Sequence, residues 1–197
     1  MGVTTGILIF DDFEELDAIG PWEVFTSAKA LSPEDRVVTI APTREPVRAA
    51  KGMRVIPDHS FADAPQLDVV LVPGGQGTRR EVSNPVLIDW LRKVGSQCQW
   101  VTSVCTGALL LHEAGFAKGK RVTTHWAFVD QLQARGDVEV LKRVRYVRDG
   151  NLVTAAGISA GIDMALWLVG QIHGVDAARK VQRGMEYDPA PPYAAEV

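Results

Sequence analysis

Trp100-Val-Thr-Ser-Val-Cys105-Thr-Gly107-Ala-Leu-Leu-Leu-His-Glu-Ala-Gly115 sets a cysteine at the junction of two kinds of local structure. The residues before it are β-branched and apolar and favour a strand, whereas Gly107 to Ala114 are mostly helix formers. Cys105 is therefore expected on the strand-to-helix turn itself. The exposed amides of a helix N-terminus carry partial positive charge and favour thiolate over thiol, which predicts a thiol pKa below the ordinary ~8.5. Gly107 is read as the residue that lets the backbone reverse sharply. The arrangement is a cysteine counterpart of the serine elbow of hydrolases, with different spacing.

Outward from this stretch, apolar runs alternate with amphipathic ones. Gly6-Ile-Leu-Ile-Phe10, Arg36 to Ala41 and Leu67-Asp-Val-Val-Leu-Val-Pro73 read as strands of a parallel sheet buried on both faces. Leu16 to Ala30 has helical spacing, and Gly20-Pro21 suggests that its main helix starts at the proline. Val47 to Pro57 looks like a small hairpin excursion around Lys51-Gly52, and Pro85 to Gln97 like a helix. Beyond the elbow helix come a strand at Arg121 to Thr123 and a helix at His125 to Arg135. Val144 to Arg148 pairs with Leu152 to Thr154 across Asp149-Gly150-Asn151, where Asp-Gly is a strong hairpin signal. Ala160 to Ile172 and Val175 to Met185 close the chain with two helices, before a proline-rich tail from Tyr187 to Tyr193. The predicted class is α/β: a doubly wound, mostly parallel sheet flanked by helices, in one domain spanning residues 1–197.

Composition sets outer limits. A chain of 197 residues, 46% hydrophobic and 23% charged, suits one packed domain. Its net charge of −3 gives no electrostatic reason to expect a nucleic-acid or anionic-membrane partner. No apolar run approaches the ~20 residues of a membrane span, and Met-Gly-Val-Thr-Thr lacks the marks of a signal peptide, so a cytoplasmic protein is expected. Cys98 lies seven residues before Cys105 across a predicted strand, ~23 Å at ~3.3 Å per residue, so both thiols are expected to be free and Cys98 structural.

In doubly wound sheets ligands bind where loops leave the carboxyl ends of strands. Three loops with chemistry fall there: Glu14-Glu15-Leu16-Asp17, Pro73-Gly74-Gly75 and Cys105-Thr106. The amides of Gly75 and Thr106 are candidates for an anion pocket. Asp17 would handle protons, since a carboxyl held away from water has a raised pKa, or would cap the helix near Gly20-Pro21. The Thr106 hydroxyl either meets substrate or caps the elbow helix. His125, in Thr123-Thr-His-Trp126, either polarises the thiol or caps a turn. His59, His112 and His173 share no spacing, and no metal site is indicated.

Leu16-Asp17-Ala-Ile-Gly-Pro21, Pro73-Gly-Gly75, Thr102-Ser-Val-Cys-Thr-Gly107, Ala114-Gly115, Thr123-Thr-His-Trp126 and Gly157-Ile-Ser-Ala-Gly-Ile-Asp163 together resemble the ThiJ/PfpI superfamily, in order and over nearly the whole chain. Within it the chain is most similar to the isocyanide hydratases. That resemblance implies a flavodoxin-like fold, a homodimer, and cofactor-free hydration of a small isocyanide to an N-substituted formamide. By it Cys105 is the nucleophile, Asp17 the acid/base and Thr106 the neighbour of the oxyanion pocket, with Gly74, Gly75, His125 and Ile158 lining the substrate side. A protease-like branch carries histidine after its nucleophile, where this chain has Thr106. A stress-response and glyoxalase-like branch carries glutamate where this chain has Asp17, and stays an alternative, as does a redox sensor built on Cys105. The ligand-sensing half of AraC-type regulators bears similar motifs but continues into a helix-turn-helix region, and no basic DNA-binding segment is found up to Val197. Ala155-Ala156, where relatives often have glycines, and the charged loop Thr78-Arg79-Arg80-Glu81 suggest a pocket wall of its own.

Overall fold

The computed structural model describes residues 2–190; the end of the predicted proline-rich tail lies outside the described residues. In chain order the elements are β1 (Thr4–Leu8), α1 (Glu15–Ala28), β2 (Arg36–Ala41), the short strands β3 (Val47–Arg48), β4 (Arg54–Val55) and β5 (His59–Ser60), and β6 (Val69–Val72). There follow α2 (Thr78–Glu81), α3 (Pro85–Gly95), β7 (Trp100–Val104), α4 (Gly107–Glu113), β8 (Arg121–Val122), α5 (Val129–Gln133), β9 (Glu139–Val140), β10 (Tyr146–Asp149), β11 (Leu152–Ala155), α6 (Ala160–His173) and α7 (Val175–Gly184).

Among the described residues seven strands form the central sheet, in the order β10-β11-β7-β6-β1-β2-β5. All neighbouring pairs are parallel except β10 with β11, the hairpin that Asp149-Gly150-Asn151 announces. Every residue of β6 and β7 is buried, which is why both read as unbroken apolar runs rather than alternating ones. From β1 the chain builds outward through β2, then returns to the other side of β1 for β6 and β7. Right-handed crossovers in opposite directions put α1 and α3 on opposite faces, and α6 packs with α1. The reversal opens the crevice between the loops that follow β1 and β6. This is the flavodoxin-like, mostly parallel sheet the sequence predicts.

Two expectations about local structure change. Helix α1 begins at Glu15 rather than at Pro21, which lies inside it. Packing explains the difference: α1 crosses α6 at small residues, where a Cβ on Gly20 would lie 2.9 Å from Ile162 Cγ1 and one on Gly161 would lie 3.3 Å from Pro21 Cγ. The fully buried Asp17 and Ala18 then gain from continuing the helix through the proline. His125 to Arg135 is a turn of 3₁₀ helix at Trp126–Phe128 followed by the short α5. The pairings of β5 with β2 and of β8 with β9 had no signal in the sequence reading, because two-residue strands have no period to detect.

Gly107 serves a purpose other than reversal. The left-handed residue at the elbow is Cys105 itself, with φ 57°. A Cβ on Gly107 would lie 2.2 Å from the carbonyl oxygen of Val72, so its glycine lets α4 start against the end of β6. Gly107→Ala is expected to cost about 1–3 kcal/mol through overpacking against rigid backbone, measured by urea unfolding at constant m-value; an unchanged midpoint would refute this account.

Candidate functional site

The three loops singled out in the sequence meet. Asp17, in the first turn of α1, is wholly buried, and its Oδ2 accepts the Gly74 amide at 2.9 Å. The Glu14 amide donates to the Gly74 carbonyl at 2.9 Å, so the loop after β1 and the loop after β6 are tied twice. Oδ1 of Asp17 is buried with no partner of ordinary hydrogen-bond geometry among the described residues. On its other side Asp17 acts on Cys105, each altering the other's proton affinity. Since α1 starts before Asp17, the alternative role of N-cap falls away; Glu14 holds that position.

The elbow is pinned from three directions. The Cys105 amide donates to the Ala155 carbonyl at 3.0 Å, and the Thr124 hydroxyl donates to the Cys105 carbonyl at 2.8 Å. A Cβ on Gly157 would lie 2.6 Å from Cys105 Cβ, and Gly157 is also left-handed at φ 104°, so no other residue fits there. A Cβ on Gly74 would lie 2.8 Å from Cys105 Cβ and 2.5 Å from the Thr106 nitrogen. The Thr106 hydroxyl makes no cap bond to α4. It accepts the Gly75 amide at 3.1 Å and lies 3.0 Å from the Thr78 hydroxyl. The Gly75 amide is therefore committed to Thr106 rather than open as one of a pair of anion donors, whereas both the amide and the hydroxyl of Thr106 act on the Cys105 sulfur.

Electrostatics reverse one expectation. Burial first, and then the charge of Asp17, push the Cys105 thiol up to about 12, above its ordinary range; the Thr106 donors lower it but are outweighed. Burial likewise raises Asp17 to about 7, against the lowering by the Gly74 amide, with Glu14 adding a further rise. The two groups thus hold two protons at low pH and share one over a wide range above about 7. Cys98 is a second free, buried thiol, also raised to about 12 by burial and Asp68.

His125 sits half-buried at the rim. Its Nδ1 accepts the Ala127 amide at 3.3 Å, its ring lies against Trp126 and Phe128, and burial and then Arg79 lower its pKa while Glu14 raises it. It caps the 3₁₀ turn, and it is not among the groups that move the Cys105 pKa. Ile158 is half-buried beside Gly157. Beside the elbow, a cavity of about 310 Å³ lined by Thr124, Trp126, Leu141, Val144, Ala156 and Gly157 shares Thr124 and Gly157 with the Cys105 surroundings.

Several neighbours escaped the sequence reading. Lys51, at the tip of the β3–β4 hairpin, pairs with Glu14 and donates its amide to Glu15 Oε1 at 2.7 Å, bringing a cation toward Asp17. Thr78 is fully buried against Thr106, and Arg79 donates to the Gly75 carbonyl at 2.6 Å while lying 4.3 Å from the Phe128 ring centroid. Their only sequence signal was the charged loop after Gly77. Among the described residues no group of three or more His, Cys, Asp or Glu side chains is placed to hold a metal, and no helix is long and apolar enough to cross a membrane.

A mostly parallel sheet with a left-handed cysteine at the elbow, a buried carboxyl beside it and a glycine-rich loop against both defines a class of α/β protein with a buried thiol–carboxyl pair at the carboxyl ends of its strands. The chain belongs to the DJ-1/PfpI family, whose sequence model matches residues 4–171. It is 43% identical over 193 residues to an isonitrile hydratase of Pseudomonas putida, covering 98% of this chain and 82% of that protein. It is 34% identical over 136 residues to the HTH-type transcriptional regulator CdhR of Pseudomonas aeruginosa, covering 69% of this chain and 40% of the regulator. A solved structure of a ThiJ/PfpI family protein from Pseudomonas syringae superposes with a TM-score of 0.92 at 31% identity, covering all of this chain and 80% of that one.

The raised Asp17 pKa has a consequence for stability. A carboxyl whose folded pKa lies near 7 and whose unfolded pKa is 3.8 favours the fold below pH 3.8, and that contribution is lost as pH rises to about 7. Asp17→Asn keeps the shape and the acceptor for Gly74 without the buried charge. Its stability gain over the parent should grow between pH 4 and 7 and level off above, reaching on the order of 4 kcal/mol at about 1.4 kcal/mol per unit. Urea unfolding across pH measures it; a gain independent of pH would contradict burial as the cause.

Proposed function

We propose that the protein hydrates an isocyanide, R–N≡C, to the formamide R–NH–CHO, with Cys105 as nucleophile and Asp17 as proton carrier. The observation that carries this reading is the buried Asp17–Cys105 pair, with Asp17 raised to about 7 and its Oδ1 left without an ordinary partner. The likeness to an isonitrile hydratase over nearly the full chain supports it.

In the singly protonated pair, Asp17 takes the thiol proton as sulfur bonds to the terminal carbon, then returns that proton to the same carbon. The product is a thioimidate, R–N=CH–S–Cys105. Asp17, again a carboxylate, takes a proton from water as hydroxide adds to the carbon, and passes that proton to nitrogen. The resulting R–NH–CH(OH)–S–Cys105 collapses: the C–S bond breaks, the hydroxyl proton returns to sulfur through Asp17, and formamide leaves. Every atom of substrate and water appears in the product, and no cofactor takes part in these steps. Thr106 steadies the sulfur through its amide and hydroxyl, Gly74 orients Asp17, and Gly75 holds Thr106; His125 and Ile158 border the organic group. A thiol held at high pKa forms little free thiolate at rest, which favours this reading over a peroxide sensor. A second copy of the chain is the proposed cover for the exposed Leu16 and Ile19, which flank Asp17 on α1.

Formamide release from a panel of small and bulky isocyanides, followed by mass, tests the assignment. Cys105→Ala should leave no detectable turnover, and Asp17→Asn should lose about 10²–10⁴-fold. Below pH about 7 the doubly protonated pair lacks a base, so kcat/KM should fall tenfold per unit as pH drops from 7 to 5 and stay level from 7.5 to 9. Full formamide production by Cys105→Ala ends the proposal.

A further inference from the structure

The carbonyl oxygen of Gly75 is oversubscribed. A carbonyl oxygen has two lone pairs, yet four donors surround this one: Arg79 Nη1 at 2.6 Å, the Thr78 hydroxyl at 2.8 Å, the Thr78 amide at 3.2 Å and the Thr106 hydroxyl at 3.3 Å. The two nearest saturate it, and the Thr106 hydroxyl is the farthest of the four. That hydroxyl already accepts the Gly75 amide at 3.1 Å and has a single proton to place. Two sites remain for it: the Thr78 oxygen at 3.0 Å and the Cys105 sulfur.

We infer that Thr78, together with Arg79, is a positioning residue that occupies the Gly75 carbonyl and so frees the Thr106 hydroxyl to turn its proton to the Cys105 sulfur when that sulfur becomes anionic. The Thr78 hydroxyl can donate to either the Gly75 carbonyl or the Thr106 oxygen; with its single proton spent on the nearer carbonyl, at 2.8 Å, its oxygen is the neutral acceptor on which the Thr106 proton rests. As the thiolate forms, the Thr106 hydroxyl rotates to it and exchanges a neutral hydrogen bond for a charge-assisted one. If Thr78 lost its hydroxyl, the Gly75 carbonyl would keep Arg79 and only the long 3.2 Å contact from the residue-78 amide, and the Thr106 proton, 3.3 Å away and deprived of the Thr78 oxygen, would turn to the vacated place on that carbonyl in competition with sulfur. Thr78 is fully buried, which keeps water from replacing it in this exchange. The other charged groups about the thiol are Asp17 from α1, with Glu14 and Lys51 behind it, and Arg79 and His125 at the rim, and Thr78→Val changes none of them.

This rests on Cys105 acting through its thiolate, as in the proposed hydration, but its test needs no isocyanide. Alkylation of Cys105 by iodoacetamide, followed by peptide mass across pH 6 to 10, reads thiolate formation directly. Thr78→Val should slow alkylation about three- to tenfold at pH 8, and Thr78→Ser should restore it to within about twofold. Should the valine variant not fold, as judged by thermal unfolding, Thr78→Ala removes the same hydroxyl. In a Thr106→Val background, loss of the Thr78 hydroxyl should add nothing further, because Thr78 acts only through Thr106. An unchanged rate in Thr78→Val, or an equal loss with Thr106 already replaced, overturns the inference. Absence of formamide from every isocyanide, with the Thr78 dependence of alkylation intact, would fail the hydratase reading and leave this one standing.

Discussion

The elbow that carries Cys105 is wedged between the ends of β6 and β11 at distances that exclude side chains. Cβ atoms on Gly74, Gly107 and Gly157 would lie 2.5 Å from the Thr106 nitrogen, 2.2 Å from the Val72 oxygen and 2.6 Å from Cys105 Cβ respectively. This contact sets the position of everything else in the site. It forces Cys105 into the left-handed region, turns the Thr106 amide toward the sulfur, and brings the Gly74 amide to the carboxylate of Asp17. The thiol is thus surrounded by backbone, and the site has little room to relax when one partner is altered.

The same closeness determines the electrostatics. A helix N-terminus open to water would lower the thiol pKa, and on that ground the sequence reading expects a thiolate. Here α4 starts against β6, the sulfur is desolvated, and the nearest ionisable group is a carboxyl, so desolvation and charge outweigh the donors. Elbow geometry is a local property and can be read from local sequence. Proton affinity depends on how much water the whole fold removes, and only the assembled loops reveal that.

Much of the fold was legible for a related reason. β6 and β7 are continuous apolar runs because parallel strands are covered on both faces, and Asp149-Gly150-Asn151 marks its hairpin by turn chemistry alone. Asp17, Gly74 and Cys105 were legible because each follows a strand, and strand ends converge in a doubly wound sheet. Pro21 misled the reading because helix propensity yields to the close crossing of α1 on α6. Thr78 and Lys51 were placed in the sequence, in a charged loop and at a hairpin tip, but nothing there signalled their partners. One is a small polar residue in a four-residue helix and the other lies at the tip of a two-residue ladder, and their roles exist only through contacts with Thr106 and Glu14.

A thiol kept neutral suits a substrate whose reacting carbon must gain a proton as well as a sulfur. Attack on an isocyanide leaves the electron pair on the same carbon that sulfur has just joined, so an acid has to stand where the thiol proton went. A strongly acidified thiol beside an ordinary carboxylate would attack but leave no proton at hand. In the proposed hydration, raising both members of the pair would keep one proton inside the site, to pass from sulfur to Asp17 to carbon without exchange with solvent. Burial of the elbow, which weakens Cys105 as a free nucleophile, is on this argument the feature that matches it to addition across a single carbon.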